Sequence, residues 1–259
     1  MTQDRAHISS FLAIKGLFIE ETFRSFRDWD LGISSKDNLA QIVETNSIGA
    51  ASTAWLQNIV RVLRSRYDVD GPDRSIVLLA QQGWHIDEWR PILLWHASRN
   101  DDLLRLFLED WLFEQHELGI VLIKADAVRE FLAELTRVQL GIHDAWKHTT
   151  LDRVANGLLK TATDFHLMRG RTVKEFTSYR LPELSFLYML HELMDREQST
   201  RKLIDAADWR VFLLRPEDVE NELLRLHQFG KLRFERAGSF LELTLPFDAA
   251  EDFVRGQAA

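Results

Sequence analysis

The chain has 259 residues, an apolar fraction of 46% and a formal net charge of -8, which is apolar material enough for one large core or two small ones. It contains no cysteine, which excludes disulfides, thiolate metal sites and thiol nucleophiles, and no apolar run approaches the roughly 20 residues that cross a bilayer. The expectation is a globular cytoplasmic protein without a signal segment, too acidic to coat nucleic acid wholesale but able to carry a local basic face.

Residues 8–28 read as one packing helix, because Leu12, Ile14, Leu17, Phe18, Phe23 and Phe26 recur at helical spacing. A helix over 36–44, a turn over 46–51 and a second helix opened by Ser52 follow in helix-turn-helix order. The second helix buries Ala54, Leu56, Ile59, Val60 and Leu63 and offers Asn58, Arg61, Arg64 and Arg66, with no acidic residue between Ser52 and Tyr67. Plain packing of an antiparallel helix pair gives the same pattern and competes with DNA contact here. Asp70, Gly71, Pro72 and Asp73 interrupt the periodicity, and helices over 74–82 and 89–98 follow, with Pro91 placed in a first turn. Asp101 caps a helix with an apolar stripe of Leu103, Leu104, Phe107, Leu108, Trp111 and Leu112. Its other side carries Asp102, Glu109, Asp110, Glu114 and Glu117, a face that repels DNA and suits a basic protein partner or plain solvent.

The helix over 125–140 turns Val128, Phe131, Leu132, Leu135 and Val138 inward, and a short helix is expected around 143–146. Thr149 or Thr150 then caps a third helix, with Val154, Leu158, Leu159, Ala162 and Phe165 inward and Arg153, Asn156, Lys160 and Thr161 outward. Gly170 sits where a helix C-terminal glycine belongs, and Val173, Phe176 and Tyr179 follow among Arg171, Lys174 and Arg180 in an extended run. Three helices and a basic wing make a winged-helix-like unit. Residues 146–180 hold seven basic side chains (Lys147, Arg153, Lys160, Arg169, Arg171, Lys174, Arg180) against Asp152, Asp164 and Glu175, a local +4 that leaves -12 for the rest. Such concentration points to an anionic partner.

A second unit on the same plan follows, with helices over 184–194 and 200–206 and a third opened by Pro216. Its hairpin pairs Leu232 and Phe234 with Leu241, Leu243 and Leu245 across a turn at 236–239. Lys231, Arg233 and Arg236 lie on that hairpin, while the helix before it mixes Glu220 and Asn221 with Arg225 and Gln228, so the first unit should lead in DNA contact. The fold class is therefore mostly α: a helical N-terminal half over 1–120 and tandem winged-helix-like units with small hairpins over 121–259.

No catalytic constellation appears: His191-Glu192 lacks the second histidine of a zinc protease helix, and there is no phosphate-cradling glycine loop or serine elbow. The histidines, among them His96, His116, His143, His148 and His166, lack metal-ligand spacing. A non-enzymatic protein without cofactor or small-molecule substrate is expected. Four motifs are similar to the BrxA family of BREX phage-defence systems. They are the leucine-rich SSFLAIKGLFIEET, the E-x-N turn and T-x-x-x-x-N-I-x-x-x-L helix of ETNSIGAASTAWLQNIVRVLRSRY, the aromatic block EWRPILLWHASRNDDLLRLFLEDWLF and the W-x-x-T-T helix of WKHTTLDRVANGLLKTATDFHLMRG. The resemblance spans about 9–181. It implies a helical, non-enzymatic DNA-binding component of a defence island, whose partners are duplex DNA and other defence proteins. The alternative is an adaptor that docks proteins through the acidic helix face and the winged units.

Overall fold

The computed structural model describes residues 8–141, 145–197, 199–238 and 240–256. The chain is mostly helical, with two small antiparallel sheets. The single helix expected over 8–28 is two, α1 (Ser10–Lys15) and α2 (Ile19–Arg27). Between them Gly16 at φ 76° and Phe18 at φ 49° are left-handed, a conformation that no continuous right-handed helix passes through. Next come α3 (Ser35–Thr45) and α4 (Thr53–Arg66). One side chain fixes their turn: Asn46 Oδ1 accepts from the Ala50 N–H at 2.8 Å, and its Nδ2 donates to the Ala50 carbonyl at 3.0 Å. Ser52 caps α4 by accepting from the Trp55 N–H at 3.2 Å.

Two further helices follow, α5 (Arg74–Gln81) and α6 (Ile86–Asn100), and α6 opens the aromatic block, with Trp89 and Trp95 fully buried. Helix α6 starts three residues earlier than expected, which puts Pro91 in its second turn and not its first. Asp101 accepts from the Leu104 N–H at 3.2 Å and opens a continuous rod of α7 (Asp102–Arg105), a π-helical segment (Leu106–Leu112) and α8 (Phe113–Glu117). Because the π turns are wider, a 3.6-residue projection misplaces side chains there. Glu109, expected on the outer acidic face, is buried, and the 3₁₀ segment Ala207–Phe212 packs on this part of the rod.

The rod leads to β1 (Leu122–Ile123), α9 (Ala125–Leu140), α10 (His148–Asp164), β2 (Met168–Arg169) and β3 (Lys174–Phe176). These strands form an antiparallel sheet in the order β1-β3-β2, with Leu122 and Arg169 both in register with Glu175 from opposite sides. The short helix expected around 143–146 falls partly on 142–144, outside the described residues, while Ala145 and Trp146 are not helical. Helix α10 begins at His148 with Lys147 as an N-cap that makes no side-chain bond, so neither Thr149 nor Thr150 caps it. It closes through Phe165 and the left-handed His166, at φ 63°. Gly170 instead serves the β2–β3 loop, where an added Cβ would stand 2.2 Å from the Val173 carbonyl oxygen. Val138 is 60% exposed; buried Val128, Leu132 and Thr136 recur every fourth residue, a drift that carries the buried stripe of α9 away from it.

The rest comprises α11 (Glu183–Arg196), α12 (Thr200–Ile204), α13 (Pro216–Gln228), the hairpin β4 (Arg233–Ala237) with β5 (Phe240–Thr244), and α14 (Ala250–Gly256), which the periodicity did not announce. The hairpin turn is tighter than expected, since Ala237 pairs with Phe240 and Arg236 stays in the strand opposite Leu241. One cluster of buried side chains crosses position 120: α11 packs on α6 and α14 on α5. Polar links reinforce it. Trp95 Nε1 donates to Asp208 at 2.8 Å, and the Tyr188 hydroxyl lies 2.8 Å from His96 Nε2 and 2.5 Å from Ser75 Oγ.

Candidate nucleic-acid interface

The two basic helices singled out in the sequence both pack on α1. On one side, α10 meets α1 at Gly157, where an added Cβ would lie 2.1 Å from the Ala13 carbonyl oxygen. That close approach buries Thr161, one helical turn on, which the sequence pattern had placed outward. On the other side the Arg61 guanidinium of α4 sits 4.6 Å from the centre of the Phe11 ring, and Lys15 Nζ lies 6.0 Å from the same ring. Packed helices have axes about 8–10 Å apart, so α4 and α10 are within about 20 Å of one another, less than the roughly 34 Å of one B-DNA turn.

The outward stripe of α10 is Thr149, Arg153, Asn156 and Lys160, all exposed at spacings of four, three and four. Ion pairing then sorts the cations. Asp152 is held by Arg129 of α9 at 2.7 Å, Asp164 by Lys160, and Glu175 by Arg169 at 3.0 Å. Hydrogen bonding to Arg169 keeps the Glu175 carboxyl below its usual range. All three acids of the segment are thereby taken, and Lys147, Arg153, Arg171, Lys174 and Arg180 have no carboxylate partner among the described residues. Lys174 donates to the Gly170 carbonyl at 2.8 Å, which folds it over the β2–β3 loop. Arg61 and Arg64 of α4 are likewise exposed and outside any ion pair among the described residues.

Arg66 is different. Ile59, Leu63 and Arg66 share one stripe of α4, and Arg66 is 2% exposed, its Nη2 3.6 Å from Asp101 Oδ2. A guanidinium on the core side of its helix has no surface to give a phosphate, so it leaves the candidate set. Burial raises the Asp101 carboxyl above its usual range, and the neighbouring Arg66 charge opposes that shift. The second unit is also matched internally: Lys231 lies 3.8 Å from Glu183, Arg233 2.6 Å from Glu235, Arg236 2.5 Å from Glu220, and Arg225 bridges Glu222 and Glu183.

Two cations escaped the sequence reading. A cleft of about 620 Å³ between the α1–α2 turn and α10 is lined by Lys15, Trp55, Arg90, Gly157, Lys160 and His166. Arg90 pairs with Asp87 at 3.1 Å and hydrogen-bonds His166, which brings α6 to the end of α10. The signal that pointed here is Gly157, an unforced glycine inside an otherwise strong helix. Among the described residues no cluster of three histidine or carboxylate side chains is placed to hold a metal ion, and no helix is long and apolar enough to cross a membrane. The sequence model of the BrxA family matches residues 8–192. No curated protein and no solved structure matches the chain.

Proposed function

The chain belongs to the BrxA family of BREX-associated phage-defence proteins, and from that premise we propose that it is a non-enzymatic component that grips the backbone of duplex DNA. The observation that carries this reading is the set of five cations without carboxylate partners among the described residues on α10 and the β2–β3 region, next to a second exposed pair on α4. We read residues 102–176 as a winged-helix-like unit. The order rod, β1, α9, α10, β2, β3 and the sheet order β1-β3-β2 support that reading. In it α10 lies along the duplex, the β2–β3 loop with Arg171 and Lys174 is the wing, and α4 supplies Arg61 and Arg64 to the flanking backbone. We assign these cations to phosphates, contacts that position a protein on the duplex and carry no sequence information directly.

The test is a gel-shift titration across salt. Each phosphate contact contributes a slope of about -0.9 in log affinity against log salt, so Arg153→Glu, Arg171→Glu and Lys174→Glu together should flatten the slope by two to three contacts' worth and abolish binding near physiological salt. Arg225→Glu with Arg236→Glu should do less, because those guanidinium groups are already held by Glu222, Glu183 and Glu220. Undiminished binding in the triple variant, or equal losses from both sets, refutes the assignment.

A further inference from the structure

Ten large apolar side chains stand exposed among the described residues, and four of them fall in one five-residue run: Leu118, Ile120, Val121 and Leu122, at 66, 41, 62 and 60%. Single exposed apolar residues need no explanation, but a contiguous patch marks a contact surface. The run ends in β1, where Ile123 is buried at 2% and anchors the strand while Leu122 points out. β1 pairs with β3 on one side and with no other strand among the described residues, so it is the open edge of the sheet. An open edge presents unpaired backbone N–H and C=O groups to whatever extended chain lies beside it.

The approach to this edge is acidic. Asp110, Glu114 and Glu117 lie on the rod that leads into it, and the Leu118 N–H bonds the Glu114 carbonyl at 2.9 Å, which sets Glu114 one turn from the patch. Glu114 has no ion-pair partner among the described residues, and Glu117 shares His116 at 3.7 Å and Arg215 at 3.9 Å, the latter already held by Asp218 at 3.1 Å. The charge decides between occupants. A two-fold contact of β1 with β1 of a second copy is antiparallel and carries the two rods to opposite ends of the pair, so it offers these carboxylates no cation beyond the single Lys124 that follows each strand, whereas a basic segment supplies several. DNA is repelled by the same carboxylates.

We propose that β1 and the run 118–122 bind an extended segment of another protein in which apolar residues alternate with lysine or arginine, added as a fourth strand beside β1. Apolar side chains of the segment share one face of the added strand and cover Leu122, and its cations meet Glu114 and Glu117. The edge lies opposite β2 across the sheet, so this docking does not depend on the DNA reading.

The experiment uses the full chain and short fluorescein-labelled peptides, one alternating valine and lysine, one alternating valine and glutamate, and a backbone N-methylated form of the first. Fluorescence polarisation should show saturable binding of the valine–lysine peptide, at least about tenfold weaker binding of the valine–glutamate peptide, and none of the N-methylated one. Leu122→Lys, a change at an exposed position, should leave the melting temperature unchanged and weaken the valine–lysine peptide at least about tenfold, and Glu114→Lys with Glu117→Lys should invert the charge preference. The proposal is overturned if the valine–lysine peptide fails to bind or if its binding ignores Leu122→Lys. It is equally overturned if wild-type protein sediments as a dimer, or floats with phosphatidylcholine vesicles, and Leu122→Lys abolishes that behaviour.

Discussion

Gly157→Ala separates helix propensity from helix packing, because the two predict opposite signs. In an open helix interior the change stabilises by about 1 kcal/mol, and Gly157 has no positive φ that would forbid a side chain. Here the new Cβ would lie 2.1 Å from the Ala13 carbonyl oxygen and 2.9 Å from its carbonyl carbon. The opposing atoms are backbone, so no rotamer change relieves the overlap. Reaching ordinary contact at 3.4 Å requires α1 and α10 to separate by about 1.3 Å, which lifts buried Leu12 and Ala13 from their seats. Overpacking of this kind costs about 1–3 kcal/mol net. In a chain of this size each kcal/mol corresponds to about 2–4 °C, so the melting temperature should fall by about 2–12 °C in a calorimetric scan. A melting temperature that stays level or rises would refute the close seating of α1 on α10, and with it the argument that α4 and α10 share one neighbour.

Glu109 gives a pH signature. Burial, reinforced by nearby Asp208, raises its carboxyl from 4.5 to about 7. The folded state therefore holds the proton more tightly than the unfolded state, so this stabilisation is full below pH 4.5 and is lost as pH rises through 7. Wild-type protein should melt higher at about pH 5.5 than at pH 8, and Glu109→Gln should remove up to about 2 kcal/mol of that difference; a pH profile unchanged by the substitution argues against a protonated Glu109. Arg66→Met should cost about 3–5 kcal/mol in urea denaturation, because it strands the Asp101 charge. Adding Asp101→Asn, which keeps an N-capping side chain but removes the charge, should recover a large part of that loss, and strict additivity of the two changes would show that the pair does not interact.

Much of the helical frame was legible because its signals are local. Ser52 and Asp101 cap the helices that follow them, and the aromatic block at 89–112 is buried as its spacing requires. The failures share another cause. The break between α1 and α2 sits in an apolar run with helical spacing, and the positive φ of Gly16 and Phe18 reveals it. β1 was invisible because two residues carry no period, and its neighbours Ile120 and Val121 are apolar yet exposed. Arg66 was grouped with Arg61 and Arg64 by residue type, although its spacing from Ile59 and Leu63 already placed it on the buried stripe. Gly157 carried the opposite lesson: a residue that weakens a helix by about 1 kcal/mol relative to alanine is retained where another backbone needs its space.

Charge counting required the same correction. Summed along the sequence, residues 146–180 give +4, but a phosphate responds to cations that are not already engaged. The segment's own acids engage Lys160 and Arg169, while Asp152 is taken by Arg129, a residue from a different helix that the count never included. Arg129 also holds Asp126 at 2.5 Å, so importing that pair leaves the sum at +4, and packing decides where it sits: on five cations with no carboxylate partner among the described residues. In the second unit Glu183, contributed by α11, reaches both Arg225 and Lys231, and Glu220 reaches Arg236, so a hairpin that looks basic in sequence is nearly neutral in three dimensions. The asymmetry between the two units thus follows from which helix lends its charge to which, and that is a property of packing, not of composition.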